Sequence, residues 1–207
     1  MSIEIEKKAR IKDFEKVKEK LESMFGIGEN YEVHKKDVMY RTSDGESWRI
    51  RYYPNKDIEF CHKNKLIENG VEINEENECL MSVKNGDFSK FLESINIKPK
   101  YSKKKNGYEF YTRRNIEYYG DEYSCEFHIE LCNVSSVTGY SDNFLEIEYT
   151  GDILKNVKSK EYPNGYWTFT NDIIKTSSIV ESLEKLFEEI GETDFEDKKY
   201  VELILGE

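Results

Sequence analysis

The sequence predicts an α+β fold, an eight-stranded antiparallel closed β-barrel with helices packed outside. Three observations lead there. Long stretches alternate apolar with charged residues at a period of two, the pattern of strands with two unlike faces. Shorter segments repeat apolar residues at helical spacing instead. The charged halves of successive strands also share a phase, which collects charge on one side of a sheet. Eight antiparallel strands can close into a barrel whose interior holds a small ligand.

The first strand covers residues 3 to 11. Ile3, Ile5, Ala9 and Ile11 lie on one face, with Glu4, Glu6, Lys8 and Arg10 on the other. A helix follows over Asp13 to Phe25, where Phe14, Val17, Leu21 and Met24 form one stripe and Gly26 offers a stop. Strands are predicted near Tyr31–Thr42, Trp48–Tyr53, Asp57–Lys65 and Val71–Val83. Ser43-Asp44-Gly45 and Pro54-Asn55-Lys56 read as turns between the first three. Asp87 is suited to cap a short helix carrying Phe88, Phe91, Leu92 and Ile95. Strand character returns over Lys100–Lys105, Tyr108–Tyr119, Tyr123–Val134 and Phe144–Thr150. Helices occupy the C-terminal region from about 172 to 205. Ser178-Ile179-Val180-Glu181 is a capping-box candidate before an apolar face ending at Gly191, and a last short helix includes Tyr200 to Ile204. Without a linker, strict repeat or low-complexity segment, residues 1 to 207 read as a single domain.

Composition narrows the function classes. With 35% charged residues and a net charge of −11, general binding to nucleic acid or anionic membranes is disfavoured, so an anionic ligand needs a local basic site. The 15 Tyr and 11 Phe against 3 Pro favour strands over disorder. Cys61, Cys79, Cys125 and Cys132 show no metal-ligand spacing and, without a signal-like start, read as reduced structural thiols of a cytoplasmic protein. No apolar stretch approaches the roughly 18 residues that a membrane span needs.

The shared phase of the charges carries the chemistry. Arg49 and Arg51 alternate with apolar or aromatic residues, Lys63 and Lys65 are in phase with Glu59, and Asn74, Glu76 and Glu78 share a face. Lys103 pairs in phase with Lys105; Glu126, His128 and Glu130 oppose Phe127, Ile129 and Leu131; Glu146 and Glu148 oppose Leu145 and Ile147. If the apolar faces pack on helices, the ionic faces line the barrel interior. A lumen holding carboxylates and cations together cannot be dry and empty, because unpaired buried charge is costly. A multivalent anion plus a metal ion satisfies both charge sets. The alternative is an ordinary solvated sheet face with cross-strand ion pairs, a serious reading for Arg10, Lys65 and Lys105.

Glu4-x-Glu6-x-Lys8 resembles the ExExK signature of the CYTH, or triphosphate tunnel metalloenzyme, superfamily. The likeness continues in order: Lys36-Asp37-Val38-Met39-Tyr40, Trp48-Arg49-Ile50-Arg51, Phe60-Cys61-His62-Lys63, Asn74-Glu75-Glu76-Asn77-Glu78, Lys103-Lys104-Lys105, Phe144-Leu145-Glu146-Ile147-Glu148 and Lys199-Tyr200-Val201-Glu202-Leu203. Asn74 stands where that pattern usually has arginine. The resemblance implies a triphosphate tunnel spanning the whole chain. It places a divalent ion, Mg²⁺ or Mn²⁺, on Glu4, Glu6 and Glu148 with Glu146 next, since hard cations prefer oxygen ligands. It assigns phosphate binding to Lys8, Arg49, Arg51, Lys63, Lys103 and Lys105, with Arg10 peripheral. Glu4, Glu6 and Lys8 become the catalytic centre. Glu76, Glu78 and Glu130 form a further acidic set able to bind a second metal or to orient cations.

The implied activity is metal-dependent hydrolysis of a triphosphate, inorganic or organic. Two alternatives share the same residues: a class IV adenylyl cyclase making cyclic AMP and pyrophosphate, and a non-catalytic polyphosphate or nucleotide binder. The expected partner is a triphosphate-containing small molecule, with no nucleic-acid polymer and no membrane; a homodimer is left open.

Overall fold

The computed structural model describes residues 2–26, 31–41, 47–53, 57–68, 71–82, 88–163, 165–169 and 176–206. Among them the chain runs β1 (Ser2–Arg10), α1 (Phe14–Phe25), β2 (Tyr31–Arg41), β3 (Ser47–Tyr52), β4 (Asp57–Glu68), β5 (Val71–Ser82), α2 (Phe88–Ser94), β6 (Pro99–Tyr118), β7 (Asp121–Ser136), β8 (Ser141–Val157), β9 (Tyr166–Phe169), α3 (Thr176–Ile190) and α4 (Tyr200–Leu205). The fold is α+β and dominated by one antiparallel sheet. Strand order is β1-β5-β4-β3-β2-β6-β7-β8-β9, and β1 pairs additionally with β8. The first strand thus serves two neighbours: residues 2–6 pair with β5 and residues 5–10 with β8.

Several predicted elements differ in extent. The stretches 100–105 and 108–119 are one strand, β6, which runs straight through Gly107. Glycine is required there by close approach, because a Cβ would fall 1.9 Å from the Leu131 carbonyl oxygen of β7. β8 continues beyond Thr150 through Gly151, at φ 88°, to Val157. It then pairs with β9, which the sequence reading missed: four residues are too few to display alternation. Helix α3 starts at Thr176, so the predicted cap at Ser178 lies inside its first turn. The turns at 43–45 and 54–56, the cap at Asp87, and residues 172–175 lie outside the described residues.

The apolar face of β1, β6, β7 and β8 packs on α1 and α3. Ile5, Ala9, Phe110, Phe127, Ile129, Leu131, Leu145 and Ile147 meet Val17 and Leu21 of α1, and Leu183, Leu186, Phe187 and Ile190 of α3. Each such large side chain, fully buried, contributes about 1.5–3 kcal/mol. α1 is held at both ends: Asp13 accepts a hydrogen bond from the Lys16 N–H at 3.2 Å, and the Gly26 N–H donates to the Glu22 carbonyl at 2.9 Å. A second cluster seats α2, through Leu92, on Val38, Tyr40, Ile50 and Ile58 of β2, β3 and β4. With their apolar halves buried against the helices, these strands turn their charged halves to the opposite face. No described helix is long and apolar enough to cross a membrane. Among the described residues no disulfide forms; Cys125 and Cys132 are buried and Cys79 is exposed.

Candidate active site

Register places the first acidic group. β1 and β8 run antiparallel with Glu6 opposite Glu148 and Lys8 opposite Glu146. Glu4, Glu6 and Glu148 each offer one carboxylate oxygen, all within 4.8 Å of one another. Burial and the neighbouring Glu4 and Glu6 charges push the Glu148 carboxyl above its usual range. His128 of β7, opposite Glu148, stands with Nδ1 3.9 Å from that carboxylate and Nε2 3.5 Å from Glu109 of β6. Burial opposes its charge, but the two carboxylates win and lift it to about 9. Tyr111 stacks on its ring at 4.9 Å.

The basic groups lie on the same face. Asp37 of β2, 1% exposed, accepts Arg51 in a fork, Nε to Oδ1 at 2.8 Å and Nη2 to Oδ2 at 3.1 Å. Arg51 holds that buried carboxyl well below the usual range. Arg49 donates to Glu59 at 2.7 Å and to Glu78 at 3.0 Å. Lys105 ties Glu130, at 2.9 Å, to Glu146, at 2.5 Å. Those contacts outweigh burial and raise its pKa well above the ordinary lysine value. Lys103 behaves oppositely. Burial and the charge of Lys105 depress it to about 7, because its nearest carboxylate, Asp37, is 3.7 Å away and already shared with Arg51. The Tyr200 ring of α4 lies 4.0 Å from the Lys103 ammonium and 5.5 Å from that of Lys8, while its hydroxyl donates to Glu146. α4 is anchored by Tyr200 and Leu203 on Cys132, Val134 and Phe144.

The predicted residues therefore separate into groups. Glu4, Glu6 and Glu148 come together, whereas Glu146 points to Lys105 and Tyr200. Arg49, Arg51, Lys103 and Lys105 lie on one face; Arg49, Arg51 and Lys105 are closely held by carboxylates, whereas Lys103 stands 3.7 Å from Asp37. The second acidic set divides, with Glu78 on Arg49 and Glu130 on Lys105 and Lys35. The side chains of Lys63 and Glu76 lie outside the described residues, although their backbones are paired in register. Arg10 is drawn off by Asp142 and by Glu196 at 2.6 Å, its ion-pairing alternative. Sequence reasoning missed Lys35 and Glu109, placed Glu59 on the ionic face without giving it a role, and knew Asp37 only through a motif. Phase was the available signal: Lys35 and Asp37 alternate with the buried Val38 and Tyr40, and Glu109 continues the series of Lys103 and Lys105.

No family model matches the sequence, and no curated protein does. Solved structures do. The PH1819 protein of Pyrococcus horikoshii OT3 is 20% identical, with a TM-score of 0.63 over 98% of each chain. The RNA triphosphatase domain of a trifunctional mimivirus mRNA capping enzyme is 14% identical, with a TM-score of 0.51 over 92% of this chain and 89% of that one. This chain and a viral RNA triphosphatase share a fold. The fold also occurs in the Schizosaccharomyces pombe Mediator head module, at 10% identity and a TM-score of 0.50 over 90% and 92% of the two chains. At these identities the likeness concerns the fold, and function has to be argued from the side chains.

Proposed function

We propose that the chain is a metal-dependent phosphohydrolase of the triphosphate tunnel type, acting on a triphosphate held inside a closed barrel. The pairing of β1 with both β5 and β8 supports reading strands β1 to β8 as the wall of that tunnel. One observation carries the function: a three-carboxylate group and four cations share one sheet face, with register setting Glu6 beside Glu148 and Arg51 beside Asp37. The fold shared with an RNA triphosphatase agrees with it.

Glu4, Glu6 and Glu148 fit a hard divalent ion, Mg²⁺ or Mn²⁺. Their donors are oxygens, and the Glu148 pKa, raised by burial and by the Glu4 and Glu6 charges, marks negative charge that a cation would relieve. Such an ion supplies polarisation of phosphoryl oxygens when bound. The protein's own groups do the positioning. Asp37 fixes the Arg51 guanidinium in a two-bond fork and so pre-orients it toward a phosphate group. Arg49 and Lys105 are likewise held by carboxylates, so little side-chain entropy remains to be lost when an anion arrives. Lys103 has no such close partner and takes up a proton as negative charge approaches. Charge stabilisation and alignment of the triphosphate for in-line attack by water then supply the acceleration.

The test is a panel of tripolyphosphate, ATP, GTP and thiamine triphosphate with Mg²⁺ or Mn²⁺, with products identified. Release of orthophosphate, lost in Glu4→Ala and Glu6→Ala, is expected. Cyclic AMP with pyrophosphate from ATP would replace the hydrolase by the cyclase reading. Tight tripolyphosphate binding without turnover would reduce the protein to a binder.

A further inference from the structure

Beside the first acidic group lies a second one. Glu109, His128 and Glu130 each present one ligand atom, and these too lie within 4.8 Å of one another. His128 connects the groups, facing Glu148 with one ring nitrogen and Glu109 with the other. Once His128 gives up its proton, donor type and spacing suit the second group to a divalent ion as well, and two-metal phosphoryl-transfer sites use such adjacent clusters. A side chain has already arrived there. Lys35 of β2 reaches across β6, and its ammonium contacts Glu109 and lies 2.6 Å from Glu130. Lys35 is 10% exposed and Glu130 6%, so the contact is shielded from solvent.

We propose that Lys35 is a built-in cation standing where a second divalent ion would bind, so that the site recruits a single exchangeable metal. The inference rests on reading Glu4, Glu6 and Glu148 as the metal site, but Lys35 is tested separately from it. An ammonium and a metal ion compete for the same carboxylate oxygens. The tethered ammonium needs no recruitment from solution. With Lys35 removed, Glu109 and Glu130 lose the ammonium that both contact, and taking a close cation away from largely buried carboxylates is costly. A divalent ion is the replacement that this donor set favours.

The experiment counts bound Mn²⁺ on the full chain by calorimetry and by electron paramagnetic resonance. Lys35→Met, which keeps the stem, should bind one ion more than the natural protein. The added ion should vanish in Lys35→Met/Glu109→Gln, and Lys35→Arg should match the natural count. Equal counts in Lys35→Met and the natural protein, with circular dichroism showing both folded, would overturn the proposal. If Lys35→Met does not fold, Glu109→Gln alone decides: an unchanged Mn²⁺ count supports Lys35 as the occupant, and loss of an ion overturns it. A natural protein that binds no Mn²⁺ would sink the metal site on Glu4, Glu6 and Glu148, while the gain of one ion in Lys35→Met would still stand as the test of Lys35.

Discussion

Replacing Glu6 with glutamine should stabilise the metal-free protein and, in the same step, remove its response to metal. Glu4, Glu6 and Glu148 hold carboxylate oxygens within 4.8 Å of one another, and Glu148 retains 28% side-chain exposure. At that spacing two unit charges repel by about 1 kcal/mol in water and by about 3.5 kcal/mol at an effective dielectric of about 20. Glu6→Gln removes two of the three repulsions and changes little in volume. With solvent screening the expected gain is about 1–2 kcal/mol, or roughly 3–6 °C in Tm for a chain of this size. Saturating Mn²⁺ should reverse the order. At about a hundred times its Kd, a ligand bound only by the folded state adds about 2.7 kcal/mol, and the glutamine variant forgoes most of it. The pH dependence has a defined sign. A carboxyl whose folded-state pKa is raised destabilises the protein above that value and is relieved as pH falls through it. The advantage of Glu6→Gln should therefore shrink on acidification, as Glu148 takes up its proton. Thermal melts in EDTA and in Mn²⁺ across pH measure all three effects. A variant less stable than the natural protein in EDTA, or equally stabilised by Mn²⁺, would refute the reasoning.

Three other outcomes are expected. Asp37→Ala should cost about 3–5 kcal/mol in urea unfolding, since it strands the Arg51 charge in a buried site beside Lys103. Tripolyphosphate binding should take up close to one proton at pH 8 and little at pH 6, because Lys103 sits near 7 before the anion arrives; calorimetry in buffers of different ionisation enthalpy reads this, and Lys103→Met should abolish it. Gly107→Ala should destabilise by about 1–3 kcal/mol or more, as its methyl group collides with the Leu131 backbone; a melting temperature within error of the natural protein would refute that account of β6.

Alternation and helical spacing are local properties, and they were legible. The phase of Glu4-Ile5-Glu6 requires only that a strand form with Ile5 buried, and Ile5 is 2% exposed. The stripes of α1 and α3 bury Val17, Leu21, Leu183, Leu186, Phe187 and Ile190, with Phe14 and Met24 at the margin and only partly buried. Extent was harder. The separate strands read at 100–105 and 108–119 are one because β7 approaches Gly107 too closely for a side chain, which nothing local reveals, and β9 has its identity only through pairing with β8.

Phase says which residues share a face; partnership depends on register between strands far apart in the chain. Glu148 and Glu146 are alike in sequence, two positions apart on the same face. Pairing with β1 sets Glu148 beside Glu6, whereas the reach of Lys105 and the docking of α4 give Glu146 to a lysine and a tyrosine. Lys103 and Lys105 share a strand and a phase, yet one is pressed down to about 7 and the other raised, because the carboxylates that distinguish them come from β2, β7 and β8. Which face carries charge is written in the period of two along each strand. Which charges meet is decided by long-range pairing, since electrostatic energies fall within a few ångströms and sequence distance carries no information at that range.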